Sequence, residues 1–195
     1  MKNLFIFISI LFLSSNCIWA QAPSYTDFEW DIFGMGISIP VANDDLGTGL
    51  SFGGELRFNV ADNYSFGAGS DISFFDLKNL ENLEDDEDAI IKFSSTSYFS
   101  GDYYFSTTSA NRGFVGLAVG HNDLGDIEIT GGDEETTLIE GASGMSLSPR
   151  VGYELGHARF LMYYNVGLKE ALKNQLVVKV SLTLWGGYNG DNLIE

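Results

Sequence analysis

A single cysteine, three prolines, two histidines and ten basic residues in 195 positions leave several chemistries without material. Cys17 lies near the amino terminus, so the rest of the chain can build no disulfide framework, thiol nucleophile or cysteine–zinc centre. Ten Lys and Arg stand against 27 Asp and Glu, a net charge of −17, and a chain this acidic repels nucleic acid. Beyond residue 20 no apolar run approaches the ~20 residues of a membrane-spanning helix. The one such run, LFIFISILFL (4–13), is too short to span. It follows the positive start Met1-Lys2-Asn3 and precedes SSNCIWA (14–20), which is the layout of a secretory signal. Cleavage is expected after Ala20, leaving residues 21–195 as one domain. Ser14-Ser15-Asn16 is a poor lipobox before Cys17, so a lipid anchor is not expected.

What the chain does hold is glycine (23 residues), aromatics (15 Phe, nine Tyr, three Trp) and a hydrophobic period of two. In LSFGGELRFNV (50–60), Phe52, Leu56, Phe58 and Val60 alternate with Gly53, Glu55, Arg57 and Asn59. YSFGAGSDISF (64–74), 92–105, 113–121 and 175–184 alternate in the same way, and 28–39 does so less cleanly. Strict alternation indicates strands with one apolar and one polar face. With the pair 149–156 and 158–168 there are eight strands and no helical segment between them. The three prolines, Pro23, Pro40 and Pro149, fall at the edges of these runs. The fold expected is all-β: a closed eight-stranded antiparallel up-and-down barrel.

The connections alternate in length. Short turns are expected near 61–63, 106–111 and 156–157, and long loops at 41–49, 77–91, 122–146 and 169–174. Short turns at one rim and long loops at the other characterise transmembrane barrels, with the long loops outside the cell. Two of these loops are acidic: Glu81, Glu84, Asp85, Asp86, Glu87 and Asp88 in the second, and Asp123, Asp126, Glu128, Asp133, Glu134, Glu135 and Glu140 in the third. Alternation within 126–130 predicts a hairpin running on from the barrel.

Period alone does not say which face points inward, and a soluble lipocalin-like barrel has the same alternation reversed. Composition favours the polar face inside. A solvated outer face is dense in Lys and Glu, whereas these polar faces are Gly, Ser and Thr with single charges between them. Those charges nearly balance: Glu55, Asp71, Asp102 and Glu154 against Arg57, Lys92, Arg150, Arg159 and Lys179. A balanced set suits a narrow lumen, because buried charges demand partners of opposite sign. Trp30, Phe58, Tyr64, Tyr103, Phe105, Tyr164 and Trp185, near strand ends, suit interfacial girdles. Glycines 67, 69, 116 and 120 on the polar faces suggest some empty volume.

GGELRFNVADNYSFGAG (53–69), SPRVGYELGHARFLMYYNVGL (148–168) and the last strand QLVVKVSLTLWGG (175–187) resemble the hairpins of the small eight-stranded outer-membrane barrels of the OmpX and OmpA-transmembrane type, in the form common in Bacteroidetes-like bacteria. The resemblance covers the mature chain. It implies an outer-membrane location, insertion by the barrel-assembly machinery, and contact with outer-membrane lipids and lipopolysaccharide. Members usually end on the last strand with an aromatic residue, whereas Asn189 to Glu195 follow Tyr188 here.

Catalytic and ligand constellations are scarce, and no cofactor is expected. His121 and His157 fall at opposite rims and cannot cooperate. His121 is followed by Asn122-Asp123-Leu124, without the His-x-Ser pair of a lipid deacylase, so no enzyme is expected. The stretch from Asp126 begins like a calcium loop, but Thr137 stands where the closing Glu belongs. In YELGHARF (153–160), Glu154 and His157 have the spacing of a helical metal motif. Read instead as a hairpin with a Gly156-His157 turn of type II′, the segment pairs Leu155 with Ala158, Glu154 with Arg159 and Tyr153 with Phe160. The functions left are a plugged, non-catalytic barrel, monomeric, whose acidic loops meet divalent cations or lipopolysaccharide, and a passive porin-like conduit for small solutes.

Overall fold

A computed structural model describes residues 28–41, 46–61, 63–77, 92–105, 111–125, 127–130, 136–139, 141–169, 172 and 174–185. The expected signal segment, most of the acidic loop residues and the tail from 189 lie outside them. Ten strands are present among the described residues: β1 (Phe28–Val41), β2 (Leu46–Ala61), β3 (Tyr64–Leu77), β4 (Lys92–Tyr104), β5 (Asn111–Leu124), β6 (Ile127–Thr130), β7 (Thr136–Ile139), β8 (Ala142–Leu155), β9 (Ala158–Gly167) and β10 (Asn174–Trp185). Eight of them close into an antiparallel barrel in sequence order, with β10 sealed against β1. β6 and β7 form a separate hairpin between β5 and β8, where the alternation in 126–130 predicts one. Barrel strands of 10 to 16 residues meet or exceed the ~9–11 that a tilted strand needs to cross a bilayer.

The stagger follows from the register. A row of partners that leaves β8 at Tyr153 passes Phe160, Val180, Met35, Phe52, Ile72, Ser95 and Asp123. It returns to β8 at Ser143, ten residues from its start. Ten residues at about 3.3 Å, set against eight strands about 4.8 Å apart, tilt the strands by roughly 40°.

The apolar faces point outward. Phe52, Leu56, Phe58, Phe66, Ile72, Val115, Leu117, Val151, Phe160, Val178 and Val180 are exposed, while Glu55, Arg57, Asp71, Asp102, Arg150 and Lys179 are buried. A wall of exposed large hydrophobics around a buried polar lumen inverts the layout of a soluble protein and suits a lipid solvent. Trp30, Phe58, Tyr64, Tyr103 and Phe105 are exposed near the short-turn rim, where the Tyr64, Tyr103 and Phe105 rings pack in sequence, the first pair tilted and the second edge-to-face. Trp185 is paired in register with Trp30, and Tyr164 lies farther along β9.

Two local features depart from the sequence reading. β8 begins at Ala142 rather than near Pro149, so this proline sits inside a strand. Its missing N–H shows as a gap in the β8–β9 pairing, which passes from Leu147↔Val166 to Arg150↔Tyr163 with the register unchanged. β1 carries a bulge: against both neighbours it gains one residue between Ile32 and Gly34. Phe33 has φ +50, a strained backbone for a bulky residue, and its side chain is 76% exposed. The extra residue reverses the parity of β1. Above it Met35, Ile37 and Ile39 face out; below it Glu29 and Asp31 are buried. An unbroken period of two would have put both acids in the lipid.

Candidate functional site: the lumen

The turn-side half of the lumen is an interlocked set of ion pairs. Arg57, near the end of β2, meets Glu29 (2.7 Å) and Asp31 (2.8 Å) on β1 and Glu154 (2.6 Å) on β8. Arg159, at the start of β9, meets Asp31 (3.1 Å), Glu55 (2.9 Å) and Asp102 (2.6 Å). Arg150 shares Glu55 (2.8 Å) and Asp102 (2.5 Å) with it. Arg112 reaches Glu154 (2.7 Å) and lies over the Tyr104 ring, 3.6 Å from its centroid. Farther along, Lys179 and the Tyr163 hydroxyl both donate to Asp71, at 2.5 and 2.7 Å. Hydroxyls complete the set: Thr183 donates to Asp31, Ser100 to Glu55 and Tyr104 to Glu154, while Tyr104 accepts from Arg57.

Burying so many charges is costly unless each finds several partners. Arginine suits the task, since its planar fork grips two carboxylate oxygens at once. Arg57 does this with Asp31 (2.8 and 3.0 Å) and Arg150 with Asp102. The glycines expected to leave volume do the reverse. A Cβ at Gly67 would strike the Glu55 carboxylate, at Gly116 that of Asp102, at Gly69 the Tyr98 ring, and at Gly120 the Ser97 carbonyl and the Tyr98 Cβ; Gly53, not among those expected, is filled by Asp71 in the same way. Each is small because a side chain from a neighbouring strand fills its place.

Of the nine charges singled out from the sequence, eight are buried in this lumen; Lys92 starts β4, and its side chain lies outside the description. Three more belong to the network. Arg112 was missed because the alternation is readable only from Gly113. Glu29 and Asp31 were missed because the bulge hides their parity, and no period-two reading could recover them. The doublets Phe74-Phe75, Tyr103-Tyr104 and Tyr163-Tyr164 each send one ring inward: Phe75, Tyr104 and Tyr163 are buried. With Phe114, Leu161 and Val177, the two tyrosines form a small apolar cluster inside the barrel.

The YELGHARF hairpin has the expected register, Leu155↔Ala158, Glu154↔Arg159 and Tyr153↔Phe160. Gly156 has φ +60, and no positive φ occurs at His157, in keeping with a type II′ turn. The pairing of charges is a correction in detail. Glu154 is held at 2.6 and 2.7 Å by Arg57 and Arg112, while Arg159 lies 3.5 Å away and spends its fork on Asp31, Glu55 and Asp102.

The loop-side half of the lumen differs. It is lined by Ser38, Ser51, Ser73, Ser94, Thr96, Asn122, Ser146, Ser148, Asn165 and Gln175, all buried. Single neutral bonds link some of them: Ser94 donates to Asn122 (2.8 Å), Ser148 to Asn165 (3.2 Å) and Ser38 to Gln175 (3.3 Å). Between the halves, Thr96, Tyr98, Ala118, Ser148, Arg150 and Tyr163 line a cavity of about 10 Å³, room for one water at most. At the loop rim Leu46, Phe75, Leu124 and Leu172 are buried.

No protein-family model matches the sequence, and no curated protein does either. Among solved structures the chain is similar to the outer membrane protein OprG from Pseudomonas aeruginosa, with 14% identity, 86% of this chain and 97% of that one covered, and a TM-score of 0.54. It is also similar to Ail, the attachment invasion locus protein of Yersinia pestis (9% identity, 86% and 99% covered, TM-score 0.47), and to Neisserial surface protein A (12%, 81% and 97%, TM-score 0.47). The first likeness is one of fold. Closed topology, apolar outer wall and polar lumen together make the chain an integral membrane barrel of the small outer-membrane type.

Proposed function

We propose that this outer-membrane barrel is a non-conducting, non-catalytic element whose work is done at its surfaces. One observation carries the reading: the width of the lumen is crossed by guanidinium–carboxylate pairs on shared partners, with glycines opposite them occupied by those same side chains. An eight-stranded barrel has an interior only just wide enough for its own side chains. Ions or solutes would have to part several buried pairs at once. The acidic residues expected in the loops, Glu84 to Asp88 and Asp133 to Glu135 among them, would then face outward and gather divalent cations beside lipopolysaccharide phosphates. Residues 1–20 would serve as the export signal and the barrel-assembly machinery would insert the remainder.

Planar-bilayer recording of the refolded protein tests this. The expected result is no steady conductance above that of the bare bilayer. Uniform ohmic openings that survive in fresh preparations would establish the porin-like conduit instead.

A further inference from the structure

The outer wall is not uniform. Around β8, β9, β10 and β1 the exposed positions are mostly large and apolar, among them Leu147, Val151, Met162, Val178, Val180 and Ile37, with Ser143 a polar exception near the loop-side end of β8. Across β3, β4 and β5 the wall instead holds a row of polar groups. Ser70, Ser97 and His121 are direct register partners on adjacent strands, and all three face outward. His121 and Asp123 are the only Asp, Glu, Lys, Arg or His among the described outward positions of the barrel strands, and Asp123 is one residue from the end of β5. Ser70 is seven residues from the loop-side end of β3, well within the band. Polar side chains facing the hydrocarbon are costly and mark a functional surface unless something covers them; His121, three residues from the loop-side end of β5, is the nearest of the three to the rim.

Below this row the same wall has a projection and a recess. Phe99 is 77% exposed, with Ala68 and Val119 beside it in register. Two residues on, Gly101 sits in a groove of about 380 Å³ bordered by Phe66, Tyr103 and Leu117. A Cβ there would meet nothing but the Phe66 ring, at 3.6 Å.

We infer that the β3–β5 wall is the contact face for a second copy of this chain. A lipid's polar linkages lie at the interface, and Ser70 and Ser97 are too deep to reach them; only another protein wall offers polar groups at that depth. The row is uncharged when His121 is neutral, and serine hydroxyls and an imidazole each both donate and accept. Ser97, at the centre of the row, can therefore both donate to and accept from its own copy across a two-fold axis. Hydrogen bonds between walls and close approach over small residues drive association in lipid, where the hydrophobic effect does not. With both copies inserted the same way up, the two-fold axis runs along the membrane normal beside β4, so Ser97 meets Ser97, Phe99 packs against Phe99 and the two Gly101 recesses face each other. This pairing revises the monomer expected from the sequence and stands whether or not the lumen conducts.

Cross-linking in assembled outer membranes tests it. In a full-length Cys17→Ser background, Ser97→Cys treated with a short thiol-to-thiol reagent should give a species of twice the protein's mass. Val178→Cys, on β10 at the far side of the barrel, should give at least tenfold less. Adding His121→Leu to Ser97→Cys should cut the doubled species at least fivefold, while heat-modifiable migration stays intact and certifies a folded barrel. Equal yields from positions 97 and 178 would mean random collision and overturn the inference. So would no doubled species at either position, an adduct of any other mass, or a yield indifferent to His121→Leu.

Discussion

The two halves of the lumen are made of the same strands and solve the same problem, filling a polar interior, with different materials. Near the short turns the fill is six acids and five bases that share one another, and no described acid there depends on a single partner. Near the loops the fill is hydroxyl and amide, joined by isolated neutral bonds, with Ser51 and Ser146 buried and without a hydrogen-bond partner among the described residues. A neutral bond contributes about 1 kcal/mol, whereas breaking a buried ion pair from one side costs roughly 3–5 kcal/mol. The turn-side half therefore fixes which residues face which, and the loop-side half tolerates exchange.

The largest test moves the two acids that β1 gives the charged half. Deleting Phe33 alone removes the extra residue, so that Phe28 to Ile39 alternate without interruption and Glu29 and Asp31 still face the lumen; this variant should keep heat-modifiable migration. Deleting Ile32 and Phe33 together reverses the parity and sends both acids to the lipid side, which leaves Arg57 short of two partners and places charges in the hydrocarbon. The expected outcome of the double deletion is failure to fold in detergent or vesicles, read as loss of heat-modifiable migration. A double deletion that still folds, or a Phe33 deletion that does not, would show that the bulge is not what sets the parity of β1. Next in size is Arg159→Glu, which turns a guanidinium shared by Asp31, Glu55 and Asp102 into a fourth acid. Urea unfolding in vesicles should show a loss of more than about 5 kcal/mol. A loss below about 1 kcal/mol would erase the distinction between the halves.

Strand number, topology and the inward sense of the polar face were legible because period two is local and a barrel enforces it on every strand. Glu154 and Arg159 could be paired by counting because a two-residue turn fixes register. What counting could not supply was the wider exchange of partners: Arg57 on β2 reaches Glu154 on β8 across the lumen, a contact between strands four places apart in the barrel order. The glycines misled for the same reason. Gly67 and Gly116 look like gaps along their own strands and are occupied only once Glu55 and Asp102 arrive from adjacent ones. Pro149 misled in another way, since a proline reads as a strand edge although a barrel of this many bonds can carry one missing donor.

The smallest test lies in the other half and has the opposite sign. Removing a buried hydroxyl that has no partner relieves desolvation, and it leaves no charged group stranded. Ser51→Ala and Ser146→Ala should each change the unfolding free energy by less than about 1 kcal/mol, on the stabilising side, in the same urea experiment. Ser94→Ala, which strips a real bond from Asn122, should instead destabilise by about 1 kcal/mol. If Ser51→Ala or Ser146→Ala cost as much as Ser94→Ala, those hydroxyls would have to be bonded after all, by water that links the strands of the loop-side half. The neutral half would then be a hydrated network rather than a set of separate bonds, and its tolerance of exchange would have to be narrower than the charged half's rigidity implies.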